Sequence, residues 1–204
     1  MRQPLFGPAG NSDSFQPQGK SIYQDIIRFL NDRGLDAYEY QAGHGVRISQ
    51  TSAAELKALA KEGGITLSLH APYYISLASP DPEKRQSSVK YILDSAKAAA
   101  GMGAERIVVH AGSKGKFTRE QALALAADTL KQALRALDDA GFSHIRICPE
   151  TMGKQNQLGT LDEVLTLCEL DERLLPCVDF GHLYARSLGG ITKAEDYSIL
   201  LDTL

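Results

Sequence analysis

No apolar run in this 204-residue chain approaches the roughly 20 residues that cross a bilayer, so no membrane-spanning helix is expected. Cysteine is scarce: Cys148, Cys168 and Cys177 are an odd number without a C-x-x-C pair. That speaks against a disulfide-stapled scaffold and fits a reducing, cytoplasmic setting. Cys148 and Cys177 fall inside apolar strand patterns, where cysteine serves as a small core residue. Positive charge is not in excess either. Lys+Arg 22 against Asp+Glu 25 leaves a formal net charge of −3, so no global basic field advertises nucleic acid. The opening MRQPLFGPAGN has no apolar stretch of the kind a signal peptide carries. No linker or low-complexity stretch interrupts the chain, and residues 1–204 are expected to form one domain.

What is present is a repeated construction. Residues 65–74, ITLSLHAPYY, run as an apolar strand into His70 and stop at Pro72. The pattern returns as RIVVH, ending in His110, as IRICPE, ending in Glu150, and as LLPCVD, ending in Asp179 with His182 just beyond. Helical segments separate these strands. Strand then helix, about six times over, predicts an α/β fold of parallel strands with right-handed crossovers. The fold class is TIM-barrel-like, with six of the eight (β/α) units that a complete barrel holds in about 250 residues. A very short first strand is expected near Leu5-Phe6 and a second over residues 37–41, each at the head of its unit.

Sequence signals also place the helices. Ser21 is a candidate N-cap for a helix through Arg33. Ser52 with Glu55, Thr118 with Gln121, Thr160 with Glu163 and Thr192 with Glu195 have capping-box spacing. Pro82 suits the first turn of a long helix that Gly101 and Gly103 end. A loop is expected from Phe180 through Gly190.

Each strand-end residue alone has a plain reading. A histidine there can bond a loop carbonyl, Asp179 can cap a one-turn helix, and His182 can pack on its loop. Glu150 is harder to explain so, because a carboxylate at the end of an apolar strand is costly to bury unpaired. Together they point further. Neighbouring parallel strands lie about 5 Å apart, so His70, His110, Glu150 and Asp179 can converge at the end where α/β folds place their chemistry. Two imidazoles and a carboxylate make a normal zinc site. His44 and His144 read as surface residues. Arg47, Lys114, Lys116, Lys154 and Arg186 all follow strands, so they share this face and fit a phosphate-bearing ligand.

The stretches HAPYYISLASPDPEK, IVVHAGS, PETMGKQNQLGTLDEV and CVDFGH resemble endonuclease IV, the zinc-dependent apurinic/apyrimidinic endonuclease family of TIM-barrel fold. The resemblance runs from Ile65 to about Gly190. It implies a site of up to three zinc ions, with manganese as an alternative metal. His70, His110 and Glu150 would hold the first ion, Glu150 and Asp179 the second, and His182 the third. Tyr73 matches the residue that reaches into DNA at an abasic site, and Arg47, Lys114 and Lys154 would join it in binding DNA. The implied partner is double-stranded DNA with abasic sites, and the implied reaction is hydrolysis of the phosphodiester 5′ to the lesion. Glu150 would position the attacking hydroxide. The family's remaining ligands lie on later strands, so the chain reads as a divergent and partial version, with Phe-Gly-His where well-known members carry Thr-Cys-His. Two alternatives stay open: a xylose-isomerase-like sugar isomerase or epimerase using one divalent metal on Glu150 and Asp179, and a fragment that binds metal or DNA without catalysis.

Overall fold

The computed structural model describes residues 3–19 and 21–204. Its centre is a parallel sheet of β1 (Ala37–Gln41), β2 (Thr66–His70), β3 (Arg106–His110) and β4 (Arg146–Glu150), in that spatial order. Gln41 lies opposite His70, and His110 lies opposite Glu150. Between β2 and β3 the register places His70 opposite Val108, a two-residue stagger that keeps the same residues on the same face. One face of each strand is apolar. Leu67, Leu69, Ile107, Val109 and Ile147 are buried on it, in one continuous core with Leu30, Leu56, Ile92, Leu130 and Leu137 of the helices. The other face carries Glu39, Gln41, His70, His110 and Glu150 towards the concave side.

A further parallel segment flanks each edge, giving six strand positions in all. Beside β1, Phe6 and Pro8 accept from Ala37 and Glu39, and Gly10 N donates to Glu39 O at 2.9 Å. Beside β4, Leu175 N donates to Ile147 O and Cys177 N donates to Pro149 O. Neither segment forms a regular strand, and proline explains both. Pro8 cannot donate to Ala37 O, and Pro149 cannot donate to Leu175 O, so each ladder breaks into isolated bridges: Ala9 with Glu39, Ile147 with Leu174, Glu150 with Cys177. The first strand therefore sits later than Leu5-Phe6, whose side chains are exposed. Gly7 packs so closely on the Ala37 carbonyl that a Cβ would lie 1.6 Å from its oxygen.

The helices follow their caps. Ser21 caps α1 (Ile22–Asn31), and Asp81 caps α3 (Pro82–Met102), which Gly103 ends in the left-handed conformation. Thr118–Gln121 and Thr160–Glu163 form the expected capping boxes of α4 (Arg119–Asp139) and α5 (Leu161–Cys168). Two expected caps are displaced. Ser49, not Ser52, caps α2 (Gln50–Gly63), and Glu55 instead accepts from Ser21. At α7 (Ala194–Asp202) it is Asp196, not Glu195, that accepts from the N–H groups of Thr192 and Lys193. Where a loop was expected, Phe180–Arg186 forms α6, capped by Asp179. Among the described residues no helix is long and apolar enough to cross a membrane.

Candidate metal centre

β2, β3 and β4 end in His70, His110 and Glu150, and their ligand atoms lie within 4.8 Å of one another. Glu150 Oε2 is 2.9 Å from His110 Nε2 and 3.4 Å from His70 Nε2. All three residues are shielded, with side chains about a tenth exposed or less. His70 Nδ1 sits 2.8 Å from the Ala71 carbonyl, which can only accept, so this nitrogen carries the proton. In its neutral form His70 therefore turns a lone pair on Nε2 towards a carboxylate oxygen. Glu150 Oε2 is buried without a hydrogen-bond partner, although His110 Nε2 lies 2.9 Å away. A His70 lone pair facing an orphaned buried carboxylate oxygen calls for a positive charge between them. These residues fit a divalent metal by donor type, tautomer and spacing.

Without a metal ion the cluster favours a proton on His70 instead. Burial alone would raise the Glu150 carboxyl, but His110 and His70 outweigh it and bring it down to about 2. Burial disfavours the charged form of His70, yet Glu150 and the Ala71 carbonyl raise its pKa above the ordinary value.

Asp179 and His182 bring a second cluster against Glu150, again with ligand atoms within 4.8 Å. Asp179 divides its work: Oδ1 accepts from His182 N at 2.8 Å as the cap of α6, and Oδ2 faces the cluster. His182 Nδ1 is 2.8 Å from Thr151 O, so it is a donor and leaves the lone pair on Nε2. Fully buried Thr151, which the sequence did not single out, thus orients His182. Its hydroxyl also accepts from Asp179 N at 2.8 Å. The signal for it was its place directly after Glu150.

The cleft around these groups has a volume of about 600 Å³ and is also lined by Asn11, Glu39 and Gln41, none of them anticipated. Glu39 and Gln41 were readable: they alternate with Tyr38 and Tyr40 on β1, so they share one face. Tyr73 stands half exposed at the mouth of the cleft, and Tyr74 turns the other way against Tyr91 at 4.7 Å. His44 and His144 are exposed, as expected.

The basic residues scatter. Arg47 lines a separate cleft with Tyr74 and Tyr91. Half-buried Lys114 donates to Phe117 O at 3.3 Å, while Lys116 and Lys154 are exposed. None of these four lines the metal cleft. Arg186 is not a rim cation: its guanidinium is given to the carbonyls of Met152, Lys154 and Gln157. Arg119 holds the same loop. It grips Glu163 through two 2.7 Å bonds and bonds the carbonyls of Gln155 and Gln157. Two guanidiniums thus fix the loop that follows Glu150.

Residues 27–201 match the xylose isomerase-like TIM barrel family. The chain belongs to that family. Among its relatives, an uncharacterized protein of Methanocaldococcus jannaschii is 33% identical over 97% of this chain. The protein named probable endonuclease 4 of Acholeplasma laidlawii is 35% identical over 67% of it. The chain spans 69% of the first relative and 48% of the second. Among solved structures, endonuclease IV from Thermus thermophilus superposes with a TM-score of 0.66 at 25% identity, covering 91% of this chain and 66% of that one. D-psicose 3-epimerase from Clostridium cellulolyticum superposes with a TM-score of 0.69 at 16% identity over the same shares, which is a likeness of fold alone. The family barrel thus accounts for the six parallel strand positions and their alternating helices.

Proposed function

We propose that this protein, in the form that spans the length of its relatives, is a zinc-dependent phosphodiester hydrolase that cuts DNA 5′ to abasic sites. The observation that carries this reading is the orphaned Glu150 Oε2 between the Nε2 atoms of His70 and His110. Zinc suits two imidazoles and a carboxylate, and manganese is the alternative. A divalent ion held there supplies Lewis-acid stabilisation of charge on a phosphoryl oxygen. The protein's own groups do the rest. His70 is fixed in the ligating tautomer by Ala71 O. Glu150 has a second oxygen, Oε1, directed to the His182 side, from which it orients the attacking water. Asp179 and His182 extend the donor set beyond the first ion. Tyr73 contacts DNA at the lesion, with Arg47, Lys114 and Lys154 on the flanking backbone. An abasic nucleotide has no base to unstack, so little energy opposes its entry into the cleft. One domain over residues 1–204 belongs to the same reading, as does a cytoplasmic setting, which the unpaired Cys148, Cys168 and Cys177 fit.

The test is a duplex with a single abasic site. A chelator-sensitive nick 5′ to that site by the longer form, with weak or no cleavage by the 204-residue chain, is the expected result. Epimerisation or isomerisation of a ketose or aldose instead, with the duplex left intact, would replace this reading by the sugar-converting one.

A further inference from the structure

The ring of Tyr73 lies across the two imidazoles of the first ligand set. It stacks on His110 with centroids 5.5 Å apart and planes 25° apart, and meets His70 edge-on at 5.2 Å. The residue is 51% exposed, so little holds it from above. It is held from the side. Tyr73 N donates to Gly43 O at 3.1 Å, and its hydroxyl donates to Gln41 Oε1 at 3.4 Å. Gln41 Nε2 in turn donates to Glu39 Oε1 at 3.0 Å, which settles which end of the amide meets the tyrosine. The decisive feature is Gly43. A Cβ there would lie 2.2 Å from Tyr73 Cε2 and 2.6 Å from Cζ, far inside contact distance. The Gly43 backbone is not in the left-handed region, so what excludes a side chain is the ring and not the chain conformation.

We infer that Gly43 and Gln41 are positioning residues that seat Tyr73 as a cover over the His70–His110 ligand pair. The ring leaves that seat before a metal ion exchanges or a DNA backbone reaches the ligands. This rests on the metal reading above and adds to it an element that neither ligates nor reacts. The stacked ring and its hydroxyl bond are each modest, so the seat is one that a bound substrate can empty.

Metal exchange tests this without any activity. Zinc is loaded into the wild type, Gly43→Ala, Gln41→Leu, Tyr73→Ala and the Gly43→Ala/Tyr73→Ala double variant, and its removal by excess colorimetric chelator is timed. Gly43→Ala and Tyr73→Ala are each expected to speed removal about tenfold, and Gln41→Leu a few-fold. The double variant is expected to be no faster than Tyr73→Ala, because Gly43 acts only through the ring. Rates equal to wild type in Gly43→Ala and Gln41→Leu overturn the inference. So does a Gly43→Ala effect of the same size without the tyrosine. A wild type that retains no zinc after equilibrium dialysis overturns the metal reading itself and takes this inference with it, whereas retained zinc with unaltered exchange rates overturns the cover alone.

Discussion

Replacing Glu150 by Gln keeps its volume and removes the charge that two imidazoles face. Loss of an outer contact to a metal ligand costs about 10–100-fold in affinity, so loss of the shared carboxylate should exceed about 100-fold for the first ion. Competition against a chromophoric chelator measures it, and an affinity within a few-fold of wild type would mean that the cluster is not a metal site. Thr151→Val makes the complementary prediction. Its hydroxyl accepts from Asp179 N, and the substitution removes that bond while the backbone carbonyl that orients His182 remains. Affinity for a second ion should fall by about 10–100-fold while the first is retained, read as a change in stoichiometry at equal free metal. Residue by residue, the candidate ligands were legible because chemistry-bearing side chains end apolar strands. Thr151 was not, because its orienting role emerges only when the chain after β4 packs against α6, whereas the shared face of Glu39 and Gln41 was readable in the alternation of β1 but was not used. The basic residues show the reverse. Arg186 resembled a phosphate contact in the sequence, and only the folded loop reveals three carbonyls claiming it.

At the scale of elements, the loop between β4 and α5 is held by an electrostatic clamp. Glu163 accepts from Arg119, Gly159 N and Thr160 N. Burial would raise its carboxyl, but the Arg119 guanidinium and these N–H groups hold it below the usual value. A carboxyl depressed in the folded state stabilises the protein above its unfolded pKa, and that contribution fades as pH falls through the folded pKa. Unfolding free energy of the metal-free protein should therefore drop with acid below about pH 4.5, and Glu163→Gln should flatten part of that drop. Urea melts at pH 7 and at pH 3 to 4 decide it, and an unchanged slope would show that the clamp is not coupled to folding. Arg119→Ala should cost about 2 kcal/mol at neutral pH, the scale of charge-assisted bonds. The capping boxes of α4 and α5 were readable because their signal is local in sequence. The first strand was placed too early, the last one lies where expected but is irregular, and α6 was taken for a loop, all for physical reasons. Proline broke the ladders at Pro8 and Pro149, and Asp179 served as both ligand candidate and helix cap.

For the whole molecule, six parallel strand positions leave both edges of the sheet without a further partner within the described residues. α7 has no buried residue, and Leu188, Ile199 and Leu201 are 87%, 65% and 56% exposed. A purified chain of these 204 residues is expected to self-associate or to unfold at low denaturant concentration. Size-exclusion chromatography with light scattering checks this, and a stable monomer would show that the open edges are tolerated. The alternation of strand and helix made the barrel legible in the sequence, while which residues flank its open edges depends on contacts that lie far apart along the chain.

That His70, His110 and Glu150 hold a divalent metal through nitrogen and oxygen donors is tested most directly by X-ray absorption on the zinc-loaded protein. Cys177 pairs in register with Glu150 and offers sulfur close by, so the spectrum discriminates between donor sets. The expected result is imidazole scattering with nitrogen and oxygen at about 2.0–2.1 Å and no sulfur shell, lost in Glu150→Gln. A sulfur shell at about 2.3 Å, or an unchanged spectrum in Glu150→Gln, would contradict it.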